Sequence, residues 1–406
     1  IGMRERETTG LTDFDATRAR FQLPPGQIYL DGNSLGPLPV GAEEAMRRAL
    51  RDEWGVMAIG GWNRADWMGL PDALGDRIGR LIGAERGHVT VGDTLSIRLF
   101  QALGAAVAMT DRKVVLSDSG NFPSDLYMAQ GFVKHFGGDR VLRVVEPDAV
   151  ADALTEEVGV LMLTQVDYRT GRRHDMAALS ARARALGIVT IWDLAHSAGA
   201  FEVDLAGAGA DFAVGCTYKY LNGGPGAPAF IYVAPKHADS AETVLNGWLG
   251  HAAPFDFEET YRPAAGVARM RVGTPAILQM RVLEAALDVW DGVSMTDVRA
   301  RSVALSERFI DGVLRRAPSL TLASPAEPEG RGSQVSFGFA DAYGAIQALI
   351  ARGVVGDFRA PDIMRFGIAP LYNTEDEIDA AVAHVADVIA TEAYNDSAYR
   401  VKSRVT

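Results

Sequence analysis

The sequence predicts an α/β protein: a mostly parallel sheet with helices on both faces, followed by a smaller α+β unit. Three observations predict it. Short, mainly apolar runs at 113–116, 141–145, 158–164, 188–193, 212–216 and 229–233 look like buried strands. Amphipathic segments at 125–136 and 175–186 lie between them, so strand and helix alternate over about 120 residues, the pattern of parallel strands joined by crossovers. Forty-three glycines supply the tight turns that such a chain needs.

The remaining elements follow in chain order. Segments 42–54 and 72–82 read as amphipathic helices ahead of the sheet. An apolar helix over 97–109 opens behind Gly92-Asp93-Thr94-Leu95-Ser96. After Thr274-Pro275 the chain turns helical through 281–290 and 296–316. Two short strands at 334–339 and 363–367 and a closing helix over 374–391 complete it. The expected division is an N-terminal segment 1–54 that joins the small domain and a dimer contact, a large domain 55–285, and a small α+β domain 286–406.

Composition narrows the function classes. Of 406 residues, 48% are hydrophobic and 23% charged, enough for a real core and too ordered a mixture for a disordered chain. The net charge of −12 argues against nucleic acid or an anionic membrane as partner. The longest uncharged run, 220–235, is interrupted by glycine and proline and is shorter than the ~18 apolar residues of a membrane helix. No basic segment followed by an apolar one stands at the N-terminus, so no secretory signal is expected. A single cysteine, Cys216, excludes an internal disulfide and points to a reducing compartment, the cytoplasm.

Metal catalysis finds no ligands: the seven histidines are scattered, with no HExxH and no Cys/His cluster. No GxGxxG opens the first strand, and neither GxxxxGK[ST] nor GxSxG occurs. What stands out is an Asp and a Lys at successive strand ends. Asp193 closes the run 188–192, and Lys219 follows 212–216 within Thr217-Tyr218-Lys219-Tyr220, beside the glycine-rich turn 222–226. A poorly hydrated lysine there favours the neutral, nucleophilic amine of Schiff-base chemistry. A carboxylate on the neighbouring strand can hold a pyridine nitrogen protonated, which makes the ring an electron sink. Both are what pyridoxal phosphate requires. Taken singly, each residue has a plainer reading, a strand-capping Asp and a surface Lys.

A phosphate cradle has two candidates. Residues 92–96 bring hydroxyls and free N–H groups to a helix N-terminus, unless Asp93 or Ser96 is simply an N-cap. Asn121-Phe122-Pro123-Ser124-Asp125 sets an aromatic ring and a carboxylate on a loop at the same sheet edge, or marks only a turn and a helix start.

The segments Leu30-Asp31-Gly32-Asn33-Ser34-Leu35-Gly36-Pro37, Phe122-Pro123-Ser124-Asp125, Asp193-Leu194-Ala195-His196, Thr217-Tyr218-Lys219-Tyr220 and Gly247-Trp248-Leu249-Gly250-His251 occur in an order that resembles the kynureninases. Met364-Arg365-Phe366-Gly367 through Asn373 extends the resemblance into the tail, so it spans nearly the whole chain. DxxH…K alone fits the wider class V aminotransferase-like group, which includes cysteine desulfurases. The resemblance implies fold type I, with a seven-stranded-type sheet, and a homodimer with shared active sites. It also implies pyridoxal 5'-phosphate as cofactor and hydrolysis of L-kynurenine to anthranilate and L-alanine in the kynurenine pathway.

It further implies roles, position by position. Lys219 would carry the cofactor, Asp193 would pair with its ring nitrogen, and His196 would sit beside them. Phe122 would stack on the ring, with Asp125 at its polar edge and Thr164 nearby. Leu95, Ser96, Tyr218 and Trp248 would contact the phosphate, and Thr274 would reach the cofactor across a dimer interface. Tyr218 would also donate the proton in the cleavage step. Arg365 would grip the substrate α-carboxylate through a bidentate pair, with Asn33 and Ser34 lining the substrate side. The plainer readings of Trp248 and Arg365 are a packed aromatic and an exposed strand arginine. Trp62 and Thr274 align with the positions that face the substrate ring, where they offer no pair of groups for a 3-hydroxyl. 3-Hydroxykynurenine is therefore expected to be the poorer substrate, unless Trp62 is simply core. A cysteine desulfurase remains the alternative, but it needs a mobile nucleophilic Cys, and Cys216 sits at a buried strand end.

Overall fold

The computed structural model describes residues 11–401; residues 1–10, where a leader would begin, lie outside the described residues. Seven strands form the main sheet in the spatial order Val89–Val91, Phe230–Val233, Phe212–Gly215, Val189–Asp193, Val158–Thr164, Val114–Asp118 and Val141–Val145. The last five run parallel, and Phe230–Val233 is antiparallel to both its neighbours.

Side chains alternate across this sheet because successive Cβ atoms of a strand point to opposite faces. Val160, Met162, Ile191, Phe212 and Val214 pack under the helices Leu95–Ala108 and Pro123–Phe136. Leu161, Leu163, Trp192 and Ala213 face the other core, shared with Leu70–Leu81, Met176–Ala185 and Ile277–Asp288. Both layers are built of buried apolar side chains, which explains why the inner strands read as largely apolar runs.

A second sheet, antiparallel in the order Thr321–Leu322, Gln334–Gly338, Ile363–Gly367 and Asp357–Arg359, carries its own core with the helices Met295–Arg316, Ala342–Ala351 and Glu375–Ala390. The last of these starts with a reciprocal cap in which Thr374 accepts from the Glu377 N–H and Glu377 accepts from the Thr374 N–H. Leu30 is buried in this core, and Ile28–Tyr29 pairs in parallel with Val354–Val355.

Several elements differ from expectation, among them the small-sheet strands Thr321–Leu322 and Asp357–Arg359, which the sequence does not announce. The edge strand Val89–Val91 and the helix Ala342–Ala351 carry no strong pattern in the sequence. The helix expected over 42–54 is α-helical only over Ala42–Arg48 and continues as a wider π-type helix over Ala49–Met57. Asp125 is not on a loop: Pro123 opens the helix Pro123–Phe136, and Asp125 is buried in its first turn. No helix among the described residues is long and apolar enough to cross a membrane.

Candidate active site

The register of the main sheet places the singled-out residues at one edge. Thr164 pairs with Asp193, Asp193 with Val214, and Gly215 with Phe230, which in turn faces Val91. The segments that follow these strand ends therefore emerge side by side: 92–96, 119–125, 194–197 and 216–220. This is the edge at which open α/β sheets bind ligands.

At its centre, Lys219 Nζ lies 3.0 Å from His196 Nε2. The Lys219 nitrogen stands 5.9 Å from the Phe122 ring centre and 5.8 Å from that of Tyr218, so aromatic faces flank it. His196 is buried, and burial together with Lys219, Arg365 and Arg359 drives its pKa well down, so the imidazole is neutral. Asp193 is buried and accepts a hydrogen bond from the Ala195 N–H at 2.8 Å. Asp125 is buried too, and neither of its carboxyl oxygens has a protein partner. Burial and the neighbouring Asp193 push Asp125 well above the carboxylate range. Burial also raises Asp193, but Lys219 and the Ala195 N–H pull against it. Of the two, Asp125 is thus the carboxyl pushed further toward its protonated form. Thr164 is buried alongside, its hydroxyl donating to the Val166 carbonyl at 3.2 Å.

Phe122 is held for stacking. Its N–H donates to Asn121 Oδ1 at 2.8 Å, Pro123 locks the next turn, and Tyr168 meets its ring edge-on at 5.1 Å. Burial pushes the Cys216 thiol up and leaves it inert. The Tyr218 hydroxyl is raised by Cys216 and by burial, so it stays protonated.

Leu95 and Ser96 occupy the first turn of the 14-residue helix Leu95–Ala108, whose cap is Thr94 rather than Asp93 or Ser96. The leading N–H groups of that turn have no intrahelical acceptor. A cavity of about 250 Å³ opens beside this end, lined among others by Asp93, Thr94, Arg98 and Thr274. Thr274 thus approaches the helix N-terminus of its own chain. Trp248 packs edge-on against Trp62 at 6.1 Å, and Trp62 against Trp67 at 5.9 Å. These indoles form an aromatic cluster of their own, apart from the contacts of Lys219.

Arg365 lies on the small sheet and is buried, not an exposed strand arginine. Its Nε donates to Asp357 Oδ1 at 2.7 Å, and its Nη2 donates to Asp357 Oδ2 and, at 2.8 Å, to Ser34 Oγ. Its Nη1 donates to the Tyr168 carbonyl at 2.5 Å. Ser34 therefore stands beside Arg365 as expected. Asn33 is fully buried beneath Gly367, and its amide atoms have no hydrogen-bond partner. Sequence reasoning missed Asp357, Arg359, Tyr168 and Gln334, which reach this edge from distant segments. The Asp-Phe-Arg triplet 357–359, two opposite charges at i and i+2 and so on one face of a strand, is the signal that could have exposed the first two.

The donor set fits pyridoxal phosphate. The buried Asp193 matches a pyridinium nitrogen, an amine flanked by aromatic rings matches the carbonyl, and a helix N-terminus on the same edge matches the phosphate.

Solved structures with this fold include a C-DES variant with glycine covalently linked to its PLP cofactor, at TM-score 0.78 and 19% identity, covering 91% of this chain and 99% of that one. The cysteine desulfurase CsdA from Escherichia coli matches with TM-score 0.78 and 19% identity over 94% of this chain and 100% of that one. The fold is that of the PLP-dependent class V, fold type I enzymes. The profile of the kynureninase C-terminal domain matches residues 298–385. Among curated proteins, the kynureninase of Pseudomonas fluorescens is 45% identical over 397 residues, covering 96% of this chain and 95% of the relative. The kynureninase of Deinococcus radiodurans is 50% identical over 380 residues, 92% of each chain. With half its residues identical across that span, this chain belongs to the kynureninase family.

Proposed function

We propose that this chain hydrolyses the Cβ–Cγ bond of L-kynurenine to anthranilate and L-alanine, using pyridoxal phosphate held by Lys219. The observation that carries the reading is the 3.0 Å contact between Lys219 and the buried His196, set at the strand end beside Asp193, with Arg365 close by on the small sheet. Bound there, pyridoxal phosphate supplies a sink for the electron pair released at the substrate's Cα. Asp193 keeps the ring nitrogen protonated. Lys219, once free, takes the Cα proton, and the neutral His196 accepts a hydrogen bond from it. Water adds to the γ-carbonyl, and the protonated Tyr218 hydroxyl donates to the departing Cβ. Phe122 stacks on the ring, Thr164 and Asp125 line its edge, and Leu95, Ser96, Tyr218, Trp248 and Thr274 serve the phosphate side. Arg365, Asn33 and Ser34 face the substrate.

The desulfurase alternative is disfavoured by Cys216, buried with a raised pKa. The division into 1–54, 55–285 and 286–406 is supported by the separate core under the small sheet, which Leu30 joins. A homodimer with shared sites is supported by the exposed apolar run Trp54, Val56 and Ile59. The one thiol, left free and buried, supports a cytoplasmic setting. Incubating the purified protein with pyridoxal phosphate and L-kynurenine should release anthranilate, read by its fluorescence. Absence of that signal, or release of sulfide from L-cysteine instead, would overturn the reading.

A further inference from the structure

We propose that Arg359 is a second binder of the substrate's α-carboxylate, and that Asp357 is the positioning residue that holds Arg359 and Arg365 as a pair. This rests on the reading of L-kynurenine as substrate. The starting point is what Arg365 has left to give. Its Nε–Nη2 edge is closed by the two oxygens of Asp357, and Nη2 also serves Ser34. Nη1 is partly used by the Tyr168 carbonyl. A bidentate grip by Arg365 alone would require it to release Asp357, which is itself buried and would lose its strongest partner.

Arg359 meets the same carboxylate from the other side. Its Nη2 donates to Asp357 Oδ2 at 2.7 Å and to Ser34 Oγ at 3.3 Å, while Nη1 donates to the Phe358 carbonyl at 3.1 Å. Its side chain is 30% exposed, against 2% for Arg365, so it has N–H groups open to an incoming ligand. Its charge is among those that keep His196 neutral, as is that of Arg365.

The charges then add to one. Two guanidiniums surround one ionised carboxylate, Asp357. The nearby Asp31 is pushed up to about 8 by burial and by Asp357, so it is mostly neutral near pH 7. A net single positive charge in a half-enclosed place suits one carboxylate. Ser34, which donates to Asp357 Oδ2 at 2.6 Å, links the three side chains to the N-terminal segment.

The test compares L-kynurenine with kynuramine, the amine that lacks only the carboxylate. In the holoenzyme, Arg359→Gln should raise KM for L-kynurenine about tenfold or more while kcat stays within about threefold, because a charge-assisted bond is lost on binding. The inhibition constant of kynuramine should not move. Asp357→Asn should weaken L-kynurenine further still, again sparing kynuramine, and Asp357→Glu should recover part of the loss. An unchanged KM in Arg359→Gln, or equal weakening of both ligands, overturns the proposal. If the wild-type protein releases no anthranilate, the reaction reading fails separately. Arg359 is then judged by titrating the cofactor's visible band with L-alanine, whose affinity should fall in Arg359→Gln and whose indifference would overturn the assignment.

Discussion

Gly36 packs against the main chain of Lys219. Its N–H donates to the Tyr218 carbonyl at 2.8 Å, and a Cβ at this position would stand 2.5 Å from the Lys219 carbonyl oxygen and closer still to the Asn222 side chain. The turn that carries the reactive lysine is thus shaped by a residue near the start of the chain. Gly36→Ala should force the two segments apart and cost about 1–3 kcal/mol of stability, with cofactor affinity falling alongside. A thermal melt and a cofactor titration matching wild type would show that the contact does not matter.

Lys219→Ala should remove the visible absorbance of the bound cofactor. Borohydride reduction of the native enzyme should fix the cofactor on the peptide containing Lys219. Recovery of the label on Lys236, which is exposed and paired with Asp211 at 2.6 Å, would refute the assignment.

The two buried carboxyls should respond differently to amidation. Asp125 is held neutral by burial and by Asp193, so Asp125→Asn replaces a neutral group with a neutral one and should cost less than about tenfold in kcat. Asp193→Asn removes the charge that serves the ring nitrogen and should cost about a hundredfold or more. Steady-state rates of the two holoenzymes decide it, and equal losses would mean that the proton is not held as described.

Acid stability should report on Asp211. Burial alone would raise this carboxyl, but His237, Lys236 and the Thr190 N–H hold it at about 2, below its ordinary 3.8. A carboxylate with a depressed folded-state pKa stabilises above its unfolded value, and that contribution disappears as pH falls from about 4 to about 2. Asp211→Asn should therefore cost on the order of 2 kcal/mol near pH 7, with the two proteins converging in acid. Parallel denaturation curves across this range would disprove it.

Substrate preference is the remaining expectation. With Trp62 and Thr274 offering no matched partners to a 3-hydroxyl, L-kynurenine should exceed 3-hydroxykynurenine in kcat/KM by about tenfold, the ratio that ~1.4 kcal/mol produces. Trp62 packs edge-on against Trp67 and Trp248, so Trp62→His should narrow the ratio without unfolding the protein. A ratio that does not respond to Trp62→His removes this residue as a determinant.

Much of the large sheet was legible because it is buried on both faces. The run at 158–164 coincides with the fully buried strand Val158–Thr164, whereas 141–145, also expected to be buried, is an edge strand with Val141 and Val144 exposed. Val89–Val91 escaped notice because three residues carry no period. The helix Ala342–Ala351 is apolar on nearly every side, so it has no polar face for a periodicity argument to find. Within the site, Asp193 and Lys219 were visible because their chemistry lies in local order, at the ends of adjacent strands. Tyr168 and Gln334 were not, since each acquires its meaning from a partner far away in the chain. The burial of Asp125 was hidden for a related reason: Pro-Ser-Asp reads as a turn, and only the helix laid across the sheet turns its carboxyl inward.

The pairing of Ile28–Tyr29 with Val354–Val355, and the burial of Leu30 among residues of the C-terminal half, have a consequence for synthesis on the ribosome. The segment that follows, through Gly36, cannot settle against the lysine turn until the last part of the chain has emerged. The large sheet is able to form first, as non-local closure comes late and domains mature in order. A nascent or C-terminally truncated chain would thus hold its central strands and still lack the finished edge on which chemistry depends. Competence arrives only with the closing of the two chain ends upon each other.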